Sequence, residues 1–253
     1  MRGGVGRAFR AAADILLPRR CIVCGCKLLT DEKHLCLHCL ADMPQTDFWT
    51  HKFNPMAERL NPLVSKSENT PYINAAALFF YDNEGKYKKI PYQIKYHGNL
   101  QAGRYFGNML GRKIALAPWA EDIDAVIPVP LHWRRKFSRG YNQAEILAKE
   151  VAKAIGAPLR RDILKRVRYT TTQTKLEVVE KSQNVTNAFS VSKRIMELTA
   201  EDPTNLTNIH HLLLVDDVFT SGNTLASCIR ALQQVLPEDV RISVATLAFV
   251  GGA

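Results

Sequence analysis

The sequence predicts an α/β protein, a mainly parallel sheet flanked by helices, with a small four-cysteine domain at its N-terminal end. Three observations carry that reading. Short, continuous apolar runs such as Leu212 to Val215 are bounded by polar residues, the pattern of strands covered on both faces. Amphipathic runs at helical spacing lie between them, which is the alternation of βαβ units. Five of the six cysteines crowd into residues 21–39, apart from everything else.

With 253 residues, 46% of them hydrophobic, the chain can bury one substantial core and a small appendage. No apolar run approaches the roughly 20 residues that span a bilayer. Residues 1–20 make a poor secretion signal, because Asp14 interrupts their apolar stretch and no small-residue cleavage site follows. Val5, Phe9, Ala12 and Leu16 fall instead at helical spacing, and Pro18 stops the pattern. A short helix packed on the body is expected there, with a basic membrane-surface helix as the alternative. The formal net charge of +10 and a sequence pI of about 9.4 favour anionic partners such as polyphosphates or nucleic acid; a merely solvated basic surface is the plainer alternative.

In the head, Cys21-x-x-Cys24 and Cys36-x-x-Cys39 are eleven residues apart and supply four thiolates for a tetrahedral Zn²⁺. The gap is a little shorter than the usual template. A closed set of four ligands leaves no open position, so the zinc would be structural. Disulfides compete with this reading, although they are rare in the reducing compartment expected of a chain without a secretion signal. Cys26 can substitute for Cys24, and His34 or His38 can compete as ligands. Cys228 reads as a buried core residue.

Residues 42–71 carry scattered Pro, Asn, Ser and Lys with little periodicity and read as a connector anchored by Phe48, Trp49 and Phe53. The expected organisation is a helix and head over residues 1–55, a connector over 56–74 and the body over 75–253. In the body, residues 75–81 are the first strand. A helical stretch through Ile90 and Ile94 ends in Lys95-Tyr96-His97-Gly98, a turn that brings Lys95 near a glycine. A second helix, over about residues 102–116, precedes the strand 125–131. Pro128 and Pro130 are awkward in a central strand and take the run out of the sheet at Val129.

The segment from Trp133 to Gln143 reads as a loop before a helix over residues 144–155. It holds four cations (Arg134, Arg135, Lys136 and Arg139), Gly140, and the aromatics Trp133, Phe137 and Tyr141. An anion-binding loop at a helix N-terminus fits this composition. So does a nucleic-acid surface, with cations on phosphates and rings on bases. An exposed basic turn is the third possibility, although it gives Gly140 and Asn142 no task. Residues 165–189 form a polar stretch too long for an ordinary connection, which points to a lid over a charged substrate. Residues 195–208 read as an acidic surface insertion, and residues 241–250 as the closing strand.

The densest signal is the run from His211 to Thr224. An apolar strand ends in Asp216 and Asp217, at the carboxyl end where open α/β sheets bind ligands. Thr220, Ser221, Gly222, Asn223 and Thr224 then offer hydroxyls and close backbone approach before an amphipathic helix, whose N-terminus would favour a phosphate. Strands ending in paired acids also occur in Walker-B-like metal sites and phosphoacceptor domains, but the chain has no Walker A loop. Acids beside a phosphate cradle suggest a phosphorylated sugar.

This run resembles the phosphoribosyl pyrophosphate (PRPP) signature of type I phosphoribosyltransferases. That resemblance implies Asp216 and Asp217 on the ribose, Thr220 to Thr224 on the 5′-phosphate, and Arg135, Arg139 and Gly140 around pyrophosphate. Taken with the cysteine head, Arg139-Gly140-Tyr141-Asn142-Gln143 and Gln173-Thr174-x-Leu176, the chain resembles the ComF family over nearly its whole length. That family implies a zinc-ribbon-like domain on a type I phosphoribosyltransferase fold. It also implies a part in natural transformation at the cytoplasmic face of the membrane, with single-stranded DNA and a helicase-like protein of the ComF operon as partners. Arg134, Arg135, Lys136, Trp133 and Tyr141 would be the nucleic-acid contacts. If the chain is a phosphoribosyltransferase, a glycosyltransferase by reaction, then Asp216, Asp217 and Arg139 would serve displacement of pyrophosphate from PRPP, with Mg²⁺ assisting. Purine-salvage members carry an acid where Thr220 stands, so the resemblance leaves the acceptor and the general base unnamed. No cysteine follows Met1, so a glutamine-hydrolysing domain is not expected.

Overall fold

A computed structural model describes residues 18–65, 67, 70–81, 85–167, 188–192 and 209–251. Its centre is a four-stranded parallel sheet in the order β1-β6-β5-β2, formed by β1 (Ala75–Tyr81), β2 (Ala125–Pro128), β5 (His211–Phe219) and β6 (Arg241–Val250). The alternation of apolar strands and amphipathic helices predicts this parallel arrangement. Leu212, Leu213, Leu214 and Val215 are all buried, as an interior strand covered on both faces requires. A short antiparallel pair, β3 (Leu164–Arg166) and β4 (Phe189–Val191), stands apart from the main sheet.

On one face lie α4 (Leu100–Ile114) and α6 (Gln143–Ile155), packed tightly against each other. Gly103, Gly107 and Gly111 form the contact stripe. A Cβ added at Gly111 would lie 2.7 Å from Ala154 Cβ and 2.9 Å from Val151 Cα, so the helix axes approach as closely as they do only because side chains are missing there. On the other face α7 (Asn223–Gln233) packs with α2 (Pro55–Val64).

Helix α2 corrects the expectation of a connector over residues 56–74. Asn54 caps it, accepting from the backbone N–H groups of Met56 and Ala57 at 3.1 and 3.0 Å, and Pro55 occupies the first turn. Met56, Ala57, Leu60 and Val64 are buried at helical spacing, so the segment belongs to the core. Phe48 and Trp49 are buried anchors as expected, whereas Phe53 is exposed.

The basic segment expected as a loop is a second correction. Residues Trp133–Arg139 form a two-turn helix, α5. His132 Nδ1 caps its start, accepting from the N–H of Arg134 at 3.3 Å, and Gly140 closes it in the left-handed region at φ +79°. The segment carries no buried face, because none of its residues is buried. The strand before it ends at Pro128, although the N–H of Val129 still donates to Val215.

The head holds α1 (Leu37–Ala41) and docks on the edge of the sheet. The Phe80 N–H donates to the carbonyl of Pro44 at 2.8 Å, and the Thr46 hydroxyl donates to the carbonyl of Ala77, so residues 44–46 cover the β1 edge. The expected N-terminal helix, the lid between residues 168 and 187 and the acidic insertion over 195–208 lie outside the described residues.

Candidate functional site

The site is built at the carboxyl end of β5. Successive strand residues project to opposite faces, and that separates the two acids. Asp217 meets α3 (Lys89–Tyr96), where Lys95 Nζ lies 3.1 Å from Asp217 Oδ1. Asp217 is only 5% exposed, and its second oxygen, Oδ2, is buried without a hydrogen-bond partner. A buried carboxylate oxygen left in that state costs about 1–3 kcal/mol, which a ligand hydroxyl would offset. Burial works against the Lys95 charge, but Asp217 and then Asp216 outweigh it and hold the ammonium above its ordinary range.

Asp216 faces the other way. Burial, followed by the Asp217 charge, pushes its carboxyl up to about 7; the Asp217 N–H, which donates to Asp216 Oδ1 at 2.8 Å, and the charges of Lys95 and Arg166 pull in the opposite direction. Arg166 on β3 places its guanidinium 5.1 Å from the centre of the Phe189 ring. Burial and the neighbouring Arg135 charge lower its affinity for its own proton, with Cys228 and Asp216 opposing. Cys228, on α7, is fully buried as expected.

Beyond Phe219 the chain turns through Thr220, Ser221 and Gly222 into α7, whose first residues are Asn223 and Thr224. Gly222 sits at φ +80°, and a Cβ there would meet the Phe219 ring at 2.9 Å, so only glycine fits the turn. No side chain caps α7, which leaves its first N–H groups facing the turn. Thr220 and Ser221 are exposed, so their hydroxyls are reachable.

The wall opposite is α5 and its C-terminal turn. Arg139 Nη1 donates to Gln143 Oε1 at 2.8 Å, and its guanidinium lies 5.2 Å from the centre of the Tyr96 ring. The Tyr141 hydroxyl donates to the carbonyl of Ile94, tying this turn to α3. Asn142 explains the Arg139-to-Gln143 motif locally: its Oδ1 accepts from the Ala144 N–H to cap α6, while its Nδ2 donates to the Val129 carbonyl at the end of β2. Arg134 stacks on Trp133 at 5.3 Å. Lys136 lies exposed on the same helix.

Sequence reasoning singled out the acids, the turn and the basic segment, which it read as a loop; the structure brings the three to the carboxyl end of the sheet, with the basic segment helical. Sequence reasoning left Lys95 out of the site set, although the Lys95-to-Gly98 turn was visible, and it read Arg166 only as part of a polar stretch. Nothing local marks Arg166, because its relation to Asp216 arises from chain far away in sequence.

In the head, the sulfurs of Cys21, Cys24, Cys36 and Cys39 lie within 4.8 Å of one another. Zinc–sulfur bonds of about 2.3 Å in a tetrahedron require sulfurs about 3.8 Å apart, and Cys24 Sγ lies 3.7 Å from Cys36 Sγ. Backbone geometry supports the same set. Gly25, at φ +79°, closes the first turn with its N–H on the Cys21 carbonyl, and the Cys39 N–H points at Cys36 Sγ at 3.4 Å. The donor set fits a closed structural zinc site. The head is fastened to the body where the Tyr87 hydroxyl donates to the Cys39 carbonyl at 2.9 Å and Lys89 Nζ donates to the Val23 carbonyl at 2.7 Å.

Comparison with known proteins agrees with this architecture. Residues 139–251 match the phosphoribosyl transferase domain family. Competence protein F of Haemophilus influenzae is 34% identical over 119 residues, which are 47% of this chain and 48% of that protein. DNA utilization protein YhgH of Salmonella typhi is 27% identical over 173 residues, 67% of this chain and 65% of its own. YhgH of Escherichia coli K12 is 30% identical over 109 residues, 43% of each chain. The matches thus span from 43% to 65% of these relatives' own length. Among the described residues no helix is long and apolar enough to cross a membrane.

Proposed function

Because the chain belongs to the ComF family, a competence-related group with a phosphoribosyltransferase-like domain, we propose that it binds PRPP or a related ribose phosphate and acts in the uptake and handling of single-stranded DNA. The observation that carries the ligand is Asp217 Oδ2, buried and unpartnered at the carboxyl end of β5 beside a glycine turn and an uncapped helix start. Ribose hydroxyls supply the missing donor, and the Thr220 to Thr224 segment takes the 5′-phosphate. Arg135 and Arg139 face the pyrophosphate side. Mg²⁺ enters with PRPP and offsets its charge.

The DNA reading rests on the names of the relatives and on the cations of α5 with Trp133 and Tyr141 close by. It places the protein in the cytoplasm, at the inner face of the membrane through partners such as a helicase-like protein. In this reading the head spans residues 1–55 and the phosphoribosyltransferase-like body 75–253, and the segment 56–74 between them belongs to the body's core through α2 instead of serving as a connector.

A second reading, an active PRPP-dependent transferase, is favoured by the Asp216 carboxyl. Held near 7, it can take up the proton that an incoming nucleophile sheds at neutral pH. In that step the C1–oxygen bond to pyrophosphate breaks and a bond from C1 to the nucleophile forms. Positioning and electrostatics would carry most of the rate.

Isothermal titration of the zinc-loaded chain with PRPP and with ribose 5-phosphate tests the ligand. Binding that is abolished in Asp217→Asn and in Gly222→Val supports it; no heat with either compound overturns it. Pyrophosphate release from PRPP across a panel of bases and amines separates the two readings.

A further inference from the structure

The outer face of α3 carries three rings that the ribose-phosphate site does not use. Tyr92 and Tyr96 are 53% and 62% exposed, and His97 follows them at the helix end, also exposed. Their centroids are 4.9 Å apart for Tyr92 and Tyr96 and 5.2 Å for Tyr92 and His97, with planes tilted by 46° and 54°. Tilted rings at that spacing do not use up one another's faces.

Everything aliphatic on α3 points inward. Ile90, Pro91 and Ile94 are buried, and the helix presents Lys89 and the tyrosines outward. A membrane-docking face would show Trp, Phe or Leu anchors at these positions, and the exposed face of α3 has none. The neighbouring chemistry is cationic: Arg139 stacks on Tyr96, and the Tyr141 hydroxyl on the Ile94 carbonyl holds α5 alongside. Helix α5 adds Arg134, Arg135 and Lys136 with the rings of Trp133 and Phe137, which are 65% and 89% exposed. Neither helix contains an acidic residue. Rings flanked on one side by cations match a strand whose bases are splayed from its phosphates.

We propose that Tyr92, Tyr96 and His97 form a stacking platform for unpaired nucleobases, with Arg139 and the cations of α5 holding the phosphates of the same strand. Single-stranded nucleic acid would then run from α3 onto α5 along the rim of the ribose-phosphate site. The platform rests on the reading of the protein as one that handles single-stranded DNA, and it extends that surface beyond α5 to residues that serve no phosphate contact.

Fluorescence anisotropy with a labelled oligothymidylate of about 12 nucleotides tests it. Tyr92→Leu with Tyr96→Leu weakens binding by about fivefold to a hundredfold per ring and leaves the salt slope unchanged. Tyr96→Phe keeps the affinity. Arg134→Gln with Arg135→Gln lowers the salt slope instead. An abasic strand of equal length binds wild type no more tightly than the double leucine variant binds the intact strand, an arm that needs no variant to fold. Retained titration with ribose 5-phosphate, which lacks the pyrophosphate that Arg139 faces, and an unchanged thermal midpoint show that the leucine variant is intact. The platform is overturned if the leucine variant binds the oligonucleotide as wild type does, or if it loses only binding to phosphatidylserine vesicles. If wild type binds no oligonucleotide at all while PRPP still binds, the DNA reading itself falls and the ligand reading stands.

Discussion

Lys95 Nζ and Asp217 Oδ1, 3.1 Å apart, join the end of α3 to the end of β5. The pair is unequal: about a quarter of the lysine side chain is exposed and only 7% of the aspartate's. Removing the lysine leaves the more deeply buried charge uncompensated.

Lys95→Met is therefore expected to destabilise the fold by about 2–3 kcal/mol, below the roughly 3–5 kcal/mol of a fully buried pair because the lysine end is wet. Asp217→Asn in the same chain should recover part of that loss, since no naked charge remains. Urea unfolding of the two single variants and the double variant reads the coupling. Independent, additive losses would show that the two groups do not form a pair in solution.

Two titrations should oppose each other in acid. Burial holds the His211 imidazole down from 6.5 to about 4, with Asp124 partly opposing. Its Nδ1 lies 2.9 Å from Asp122 Oδ1 and its Nε2 lies 2.7 Å from Ser243 Oγ, so the neutral ring donates through Nδ1 and accepts through Nε2. The unfolded chain then binds the proton more readily, and stability is lost as pH falls from 6.5 towards 4. Asp216 has the opposite sign. Its folded carboxyl, near 7, holds a proton that the unfolded chain releases near 3.8, so its contribution is lost as pH rises through that window. Each effect is on the order of 3 kcal/mol, and the wild-type profile between pH 4 and 6.5 should be nearly flat. Asp216→Asn unmasks a stability that rises with pH; His211→Gln unmasks one that falls. Parallel profiles for all three proteins would refute the assignment.

The same carboxyl sets a binding profile. If ribose hydroxyls donate to ionised Asp216, affinity for ribose 5-phosphate should rise about tenfold between pH 6 and 8, the change in ionised fraction for a group near 7. Asp216→Asn should flatten the titration curve even where weak binding survives. The ligand's own phosphate also ionises near 6, so the difference between wild type and variant is the quantity to measure.

What could be read from the chain alone follows from how local each signal is. The strand carrying Asp216 and Asp217, the Gly222 turn and the cysteine pairs are each local in sequence, and the structure has a strand, a turn and a four-sulfur cluster at those residues, although the strand does not end at the acids. Helix α2 was missed although Asn54, Pro55 and Glu58 are start signals, because Pro62 inside it reads as a breaker and its buried stripe has only four residues. Helix α5 was missed because it has no buried face; His132 and Gly140 at its ends fix it instead. Strand β5 runs past Val215 to Phe219 because β6 continues to pair with it, a partner that local polarity does not reveal. Lys95 and Arg166 reach the site only through the folded topology.

The glycine stripe of α4 gives a graded stability test. At Gly103 the nearest atom to an added Cβ is the flexible Ile146 Cγ2 at 3.0 Å; at Gly107 it is Leu147 Cα at 3.1 Å; at Gly111 both Ala154 Cβ and Val151 Cα lie under 3.0 Å. Alanine has the better helix propensity by about 1 kcal/mol, so the outcome is decided by whether the neighbour can move. Gly103→Ala should be near neutral, Gly107→Ala mildly destabilising, and Gly111→Ala worse by about 1–3 kcal/mol, because a helix backbone must shift. Equal effects at all three positions would mean that α4 and α6 are not in this close contact.

The cysteine head should carry one zinc per chain, and the choice among five candidate sulfurs can be tested. Cys36→Ser is expected to lose the metal, while Cys26→Ser keeps it, since Cys26 lies outside the clustered set of four. Metal analysis after dialysis reads this directly. The consequence should reach the ligand site, because the Cys39 carbonyl holds the Tyr87 hydroxyl and the Val23 carbonyl holds Lys89, at the start of the helix that carries Lys95 in its last turn. Chelating the zinc should loosen that anchor as the knuckles unfold, and ribose 5-phosphate affinity should fall with it. Tyr87→Phe, which removes the tie to Cys39 and leaves the four sulfurs intact, should keep the zinc and still weaken the ligand. Unchanged affinity after complete zinc removal would show that the head serves only its own fold.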